Sequence, residues 1–160
     1  MKIEPNPMIK WVIMSLLSHL QFLESKMASI RHVPTLFEYY AAIQLSKQHH
    51  IRFYGYQDIP DRHKKDAGFP IRDQGIDLID ETFQTIVQVK YYRKDAMLHY
   101  GMLSTFLGTP LLVGRKHLRL LLVRTDHSCL TSEIQSIVRR GDMTDVRLCS
   151  KTFLQTLKIH

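Results

Sequence analysis

An aspartate, a glutamine and a lysine stand in two short apolar segments of this sequence, at Asp77, Gln88 and Lys90. A carboxylate and an amide oxygen are hard ligands of the kind that Mg²⁺ accepts. A lysine beside them can orient a water molecule or offset the charge of a phosphate. If the fold brings these three side chains together, they indicate metal-assisted chemistry on a phosphate group.

The two segments are predicted to form a β-hairpin. Gly75–Ile79 and Ile86–Tyr92 are rich in β-branched and aromatic residues, and the polar segment Asp80–Gln84 between them is short enough to close a turn. A turn centred near Thr82 and Phe83 would place Asp77 directly opposite Gln88. Because side chains alternate along a strand, Gln88 and Lys90 would share one face, opposite Val87, Val89 and Tyr91.

A simpler interpretation exists for each residue alone. Asp77 could be an acid beside a turn, and Lys90 could be an ordinary exposed strand lysine. Three polar groups on one face of otherwise apolar strands favour the functional interpretation, because such groups are costly to bury unless they serve one another or a ligand.

The run Gly75-Ile76-Asp77 followed by Gln88-Val89-Lys90 resembles the motif of the PD-(D/E)xK, or restriction-endonuclease-like, nuclease superfamily. It is most similar to the Mrr-like branch, where Gln can replace the second acid. The resemblance covers about residues 35–150 in the order of elements. It implies an α/β restriction-endonuclease-like core, with a central mixed β-sheet flanked by helices, that hydrolyses DNA phosphodiester bonds with Mg²⁺, or Mn²⁺ as a substitute. It also implies two-fold assembly.

The resemblance further implies roles for individual residues. Asp77, the Gln88 side-chain oxygen and the Val89 carbonyl would hold the metal ion, while Lys90 would position the attacking water or stabilise the transition state. An acid on the helix before the first core strand often completes such a site, and Glu38 is the candidate here. A solvated helix glutamate is the alternative for Glu38.

Composition is compatible with a nucleic-acid partner. The chain has 160 residues, a net charge of +7 and a pI near 9.5, as expected for a single domain that binds a polyanion such as DNA, RNA or an anionic membrane surface. Cys129 and Cys149 lack the spacing of a zinc site or a disulfide framework. A reducing intracellular compartment is therefore expected.

Cations cluster on both sides of the hairpin. The segment Gln57–Gln74 is predicted to be a long irregular connection, and such connections are often functional. Its cations, together with residues beside the hairpin, are predicted to contact DNA phosphates or bases, and a solvated charge run is the alternative. These predicted DNA-binding residues are Arg62, Lys64, Lys65, Arg72, Gly75, Tyr92, Arg93 and Lys94. Gly75 is expected to leave the backbone bare for a phosphate to approach.

The apolar run Met8–Leu23 predicts a packed helix, because polar residues interrupt it and it is too short for a membrane span. We therefore expect an N-terminal helical extension over residues 1–33, packed on a nuclease-like domain over residues 34–160, and no membrane partner. Trp11 and Met14 lie off the main apolar stripe, so a second buried face against another subunit is a further expectation.

Periodicity and turn residues predict the other elements. Helices are expected at Pro34–Gln48, Arg93–Leu107, Thr131–Arg140 and Ser150–Leu157. Strands are expected at Ile51–Tyr56, Arg119–Val123 and Asp145–Leu148, and a loop spans Gly108–Gly114. The apolar strand Arg119–Val123 is typical of the interior of a sheet that is covered on both faces.

Two other function classes remain open. The same fold could bind or position nucleic acid for a partner without catalysis, although a catalytically dead site has no need of all three polar residues. The chain could also be an assembly protein whose N-terminal helix is the working surface.

Overall fold

The computed structural model describes residues 7–72 and 74–159. Its helices are α1 (Pro7–Ser29), α2 (Val33–His49), α3 (Asp61–Asp66), α4 (Tyr100–Leu107), α5 (Thr109–Leu112), α6 (Ser132–Arg139) and α7 (Ser150–Ile159). Its strands are β1 (Phe53–Gly55), β2 (Leu78–Asp80), β3 (Thr85–Lys90), β4 (Ala96–Leu98), β5 (Arg119–Thr125), β6 (Ser128–Leu130) and β7 (Thr144–Leu148). A 3₁₀ turn, Tyr56–Asp58, follows β1 directly.

The central sheet has five strands in the order β1-β2-β3-β5-β7. Strands β1, β2 and β3 pair antiparallel, whereas β3, β5 and β7 pair parallel. The prediction of an α/β fold with a mixed central sheet flanked by helices is confirmed. Strand β5 lies inside the sheet, and its side chains are buried from Leu120 to Thr125, as its apolar sequence predicted.

Side chains alternate between two hydrophobic cores on the two faces of the sheet. The first core packs Val87 and Val89 against helices α1, α2 and α7. The second packs Ile79 and Ile86 against helices α4 and α6. Because Gln88 and Lys90 alternate with Val87 and Val89, they belong to the α4 and α6 face, as the strand period predicted.

The hairpin forms with the expected turn. Leu78 pairs with Val87 and Ile79 with Ile86, which is the register expected for a turn at Thr82 and Phe83. The Phe83 N–H donates to the Asp80 carbonyl at 3.0 Å, and Phe83 adopts a left-handed backbone with φ 57°. The strands are shorter than predicted, because β2 begins only at Leu78 and β3 ends at Lys90.

Helix α2 is buried along most of its length. Its apolar residues Leu36, Phe37 and Tyr40 are buried. Tyr39, Ala41, Ala42 and Ser46 are buried as well, which the pattern did not indicate. Helix α2 is therefore enclosed by the sheet and α1, and its polar residues occupy few accessible positions.

Three predicted elements were wrong. The connection 57–74 is not irregular throughout, since it contains the 3₁₀ turn and α3, whose last turn holds basic residues that suit the helix dipole. The predicted helix Arg93–Leu107 begins only at Tyr100, because residues 96–98 pair with β6 in a second, parallel two-stranded sheet. The loop 108–114 contains the short helix α5.

Helix α1 spans Pro7–Ser29 among the described residues, so the apolar run Met8–Leu23 is helical as predicted. It packs on the core through the fully buried Leu23, and the buried His19 ring nitrogen Nε2 lies 2.6 Å from the Phe53 carbonyl oxygen. Within residues 7–72 and 74–159, no helix is long and apolar enough to cross a bilayer. The expectation for Trp11 and Met14 concerns side chains outside the described part of the structure.

Candidate functional site

The candidate site lies at the end of the hairpin away from its turn. There the start of β2 meets the carboxyl ends of the parallel strands β3 and β5. In open α/β sheets, ligands commonly bind beyond the carboxyl ends of the strands. The fold therefore provides a suitable edge at the position where the sequence places Asp77, Gln88 and Lys90.

Asp77 is fixed between two neighbouring strands. Its backbone N–H donates to the Val87 carbonyl and its carbonyl accepts from the Tyr56 N–H, both at 2.8 Å. Its carboxylate oxygen Oδ2 accepts a hydrogen bond from the Val89 N–H at 2.7 Å. The carboxylate thus lies against the backbone of Gln88–Val89, as expected from the predicted register.

Gln88 is buried at this edge with an incomplete set of hydrogen bonds. Its side chain is 6% exposed, and Oε1 has no hydrogen-bond partner among the described residues. A buried polar atom without a partner typically costs about 1–3 kcal/mol. Such an atom needs an explanation, and a bound cation is one that suits an amide oxygen.

Gly75 packs against Gln88 and helix α4. A Cβ atom at Gly75 would stand 3.3 Å from Gln88 Nε2 and 3.4 Å from Phe106 Cβ, and Gly75 has a φ of 78°. Close packing and the left-handed backbone explain this glycine. The space of the missing side chain is filled by protein, which corrects the expectation that it leaves room for a phosphate.

Lys90 is half-buried at the end of β3, and it pairs with Arg124 on the parallel neighbour β5. Arg124 is engaged elsewhere: its Nε and Nη2 donate to the two carboxylate oxygens of Asp145 at 2.8 and 2.9 Å. Arg124 also donates to the Ser128 carbonyl. Because Asp145 balances the charge of Arg124, the side chains of Lys90 on β3 and Arg124 on β5 can lie next to each other.

Glu38 reaches the same region from helix α2. It lines a cleft of about 240 Å³ together with Asp77, Lys64, Tyr56 and Gln57. Two carboxylates that are distant in the sequence therefore share one small cleft. The half-buried position of Glu38 disfavours the alternative of a fully solvated helix glutamate.

Tyr39 anchors helix α2 beside Glu38. Its hydroxyl donates to Asp58 Oδ2 at 2.6 Å. Burial and this hydrogen bond to a carboxylate raise the pKa of Tyr39 to about 12. The phenol therefore stays protonated at neutral pH and holds α2 against the 3₁₀ turn.

The predicted DNA-binding residues fall into two groups. Arg62, Lys65, Arg72, Arg93 and Lys94 are exposed, as a phosphate contact requires. Tyr92 is half-buried against the second core, and its N–H donates to Thr125 Oγ1 at 3.2 Å. Lys64 differs from the exposed cations because it is buried and lines the cleft that contains Asp77.

Sequence reasoning did not place Tyr56 or Gln57 in the site. Both line the cleft because the chain turns sharply after β1. The Tyr56 hydroxyl donates to the Pro70 carbonyl, and this bond helps to close the segment 56–70 over the cleft. The pattern of residues 51–56 indicated a strand and gave no signal for this turn.

The donor set is compatible with a hard divalent cation. The cleft offers the carboxylates of Glu38 and Asp77, and the unpartnered Gln88 Oε1 lies at the same edge of the sheet. Within the described ranges, no group of three or more His, Cys, Asp and Glu side chains is arranged to hold a metal ion. A metal ion here would therefore depend on amide, backbone or water oxygens in addition to the two acids.

Comparisons of the chain with protein-family models, with curated proteins and with solved structures find no significant match. The residues of the site and their surroundings are therefore the basis for the function proposed below.

Proposed function

We propose that this protein is a divalent-metal-dependent deoxyribonuclease with a restriction-endonuclease-like core. The observation that carries the proposal is the cleft shared by Glu38 and Asp77, with Asp77 bonded to the backbone at Val89. The Gly75–Asp77 and Gln88–Lys90 segments resemble the motif of the PD-(D/E)xK nuclease superfamily. The mixed sheet, and the order of helices and strands over residues 35–150, are compatible with that resemblance.

Each residue has a role in this proposal. Asp77, Gln88, Glu38 and the Val89 carbonyl would hold Mg²⁺, for which Mn²⁺ could substitute. A bound divalent ion would offset negative charge on the phosphate and make a bound water more acidic. Lys90 orients that water or donates to the phosphate oxygen on which charge develops.

Exposed cations position the DNA around this cleft. Arg62 and Lys65 lie on α3, whose Lys64 forms part of the cleft wall, and Arg93 and Lys94 follow β3. Contacts of this kind fix the register of a duplex without reading its sequence. The net charge of +7 favours such binding at low salt.

The proposal is tested by incubating the protein with supercoiled plasmid in Mg²⁺, Mn²⁺ or EDTA. The variants Lys90→Ala and Glu38→Gln are compared with Lys151→Ala and Glu133→Gln, which remove exposed charges on α7 and α6. We expect nicking or linearisation by the wild type with either metal, and a loss of about 10²-fold in the two site variants. The two control variants should cut like the wild type.

Equal cleavage by the wild type and both site variants would assign the activity to another site and contradict the proposal. Absence of cleavage, with DNA binding that weakens with salt but ignores Mg²⁺, would favour the alternative of a nucleic-acid-binding module that positions DNA for a partner.

A further inference from the structure

Lys64 differs from every other cation that the sequence placed near the DNA. Its side chain is 4% exposed, whereas Arg62 and Lys65 on the same short helix are exposed. A lysine is seldom buried so deeply unless its charge has a partner. The position of its ammonium group therefore needs a specific explanation.

The ammonium group is held by an aromatic ring. Lys64 Nζ lies 4.4 Å from the centroid of the Tyr56 ring, well within the range of a cation–π interaction. Tyr56 is itself fixed at both ends, because its N–H donates to the Asp77 carbonyl and its hydroxyl donates to the Pro70 carbonyl. The chain of contacts thus runs from the Asp77 backbone through Tyr56 to the charge of Lys64.

The carboxylate that pairs with Lys64 is a weak partner. Asp61 Oδ1 is 3.8 Å from Nζ, and the Asp61 side chain is 69% exposed. Because the Asp61 carboxylate is mostly in solvent, water screens its attraction for the ammonium group. Arg124 is bound more tightly by its carboxylate, because its guanidinium meets both oxygens of Asp145 below 3 Å.

Lys64 also lines the cleft that contains Glu38 and Asp77. From this geometry we propose that Lys64 is a catalytic residue that donates to a non-bridging oxygen of the phosphodiester being cleaved, rather than to the outer DNA backbone. This inference rests on the proposed nuclease function. In this arrangement two lysines from different segments, Lys90 on β3 and Lys64 on α3, contact the reacting phosphate.

The charges support this role. The two carboxylates would balance both charges of the divalent ion that they hold. The positive charge that balances the phosphodiester anion would then come from the ammonium group of Lys64. Because the lysine stem is enclosed and the ring holds Nζ, the donor needs little reorganisation when charge develops in the transition state. Exposed Lys65 lacks this preorganisation, so on the same helix it is the comparison for an ordinary contact with the outer DNA backbone.

The experiment compares Lys64→Met, Lys64→Arg, Lys65→Met and Asp77→Asn. Single-turnover cleavage rates are measured in Mg²⁺, duplex affinity in Ca²⁺, and thermal midpoints in buffer alone. We expect Lys64→Met to cut about 10²-fold more slowly with nearly unchanged affinity, and Lys64→Arg to recover part of the rate. Lys65→Met should instead weaken duplex binding and lower its salt dependence by about one phosphate contact.

Three outcomes would overturn the inference. If Asp77→Asn is inactive while Lys64→Met cuts at the wild-type rate, the role of Lys64 is wrong and the nuclease function stands. If rate, affinity and thermal midpoint fall together in both Lys64 variants, the residue is structural. If the wild type does not cut, or Asp77→Asn cuts equally well, the nuclease function fails and the inference fails with it.

A measurement on the unmodified protein covers the case in which Lys64→Met does not fold. In a complex of the wild type with duplex DNA and Ca²⁺, Lys64 Nζ should lie within hydrogen-bond distance of an oxygen of the phosphate at the Asp77 cleft. A position beyond the reach of every phosphate oxygen would exclude the proposed contact.

Discussion

The two ends of the central hairpin contain aspartates three positions apart in sequence, Asp77 and Asp80, in contrasting surroundings. At the turn end, the buried Asp80 carboxylate accepts from the N–H groups of Gln84 and Thr85 at 2.9 and 2.8 Å and from the Thr82 hydroxyl. At the open end, Asp77 borders a cleft with Glu38 and Lys64, and the adjacent Gln88 contains an unpartnered oxygen. The turn end is a self-sufficient structural unit, whereas the open end still has binding capacity.

The size of a cavity does not show which end of the hairpin is the functional one. A larger cavity of about 500 Å³ lies at the turn end, and its polar lining residues include Asp80, Thr85, Asp142, Arg119 and His49. Both of its aspartates already have local partners, because Asp80 accepts from the turn backbone and Asp142 pairs with Arg140 at 3.2 Å. The smaller cleft at the open end is the better candidate because charged groups from α2, α3 and the start of β2 converge on it.

The largest effect should follow from Asp77→Asn. Asparagine can still accept the Val89 N–H bond, so the fold should survive, but the proposed anionic metal ligand is lost. We expect cleavage to fall by about 10²–10³-fold or more, with the free energy of unfolding changed by less than about 1 kcal/mol. Plasmid cleavage and urea denaturation measure the two quantities, with exposed Asp142→Asn as the control.

Wild-type cleavage by Asp77→Asn would remove the functional difference between the two ends. It would also contradict the assignment of this carboxylate to a metal site.

Asp80→Ala should show the opposite result. It leaves two backbone N–H groups beside a buried position without their acceptor, which should lower the free energy of unfolding by about 2–3 kcal/mol. Under conditions where the variant is folded, its cleavage rate should match that of the wild type. Urea denaturation measures the loss of stability, and Asp142→Ala should stay within about 0.5 kcal/mol of the wild type.

If Asp80→Ala abolished cleavage while remaining fully folded, the turn end would have a direct functional role. The contrast between the two aspartates would then be wrong.

Among the variants at the open end, the smallest loss of cleavage is expected for Gln88→Met, which should also change stability little. Methionine is similar in length and removes the unpartnered buried Oε1, so stability should stay within about 1 kcal/mol of the wild type or rise slightly. Cleavage should nevertheless drop, because an oxygen ligand is lost. A variant as active as the wild type would show that Oε1 is not a ligand, and a large loss of stability would show that the amide is structural.

The elements with strong local signals were predictable. The β-branched runs on both sides of a short polar turn predicted the hairpin and its register, and the continuous apolar run predicted the interior strand β5. The face shared by Gln88 and Lys90 followed from the two-residue period of a strand. These features depend on neighbours in the sequence, so local physics is enough to predict them.

Other features depended on contacts between distant segments. Residues 96–98 have helix-forming side chains, yet they form a strand because β6 lies beside them. Lys64 is buried against the Tyr56 ring, whereas its neighbour Lys65 is exposed. The pattern of charges in the segment does not indicate which of the two lysines meets the ring.

The sequence by itself determined the hairpin, the alternation of its side chains and the residue types that could bind a metal ion. The tertiary structure alone decided that α2 brings Glu38 to Asp77 and that α3 brings Lys64 to the same cleft. The physical reason is that strand periodicity is a local property, whereas the convergence of charges from α2, α3 and β2 requires the packed core that holds these segments together.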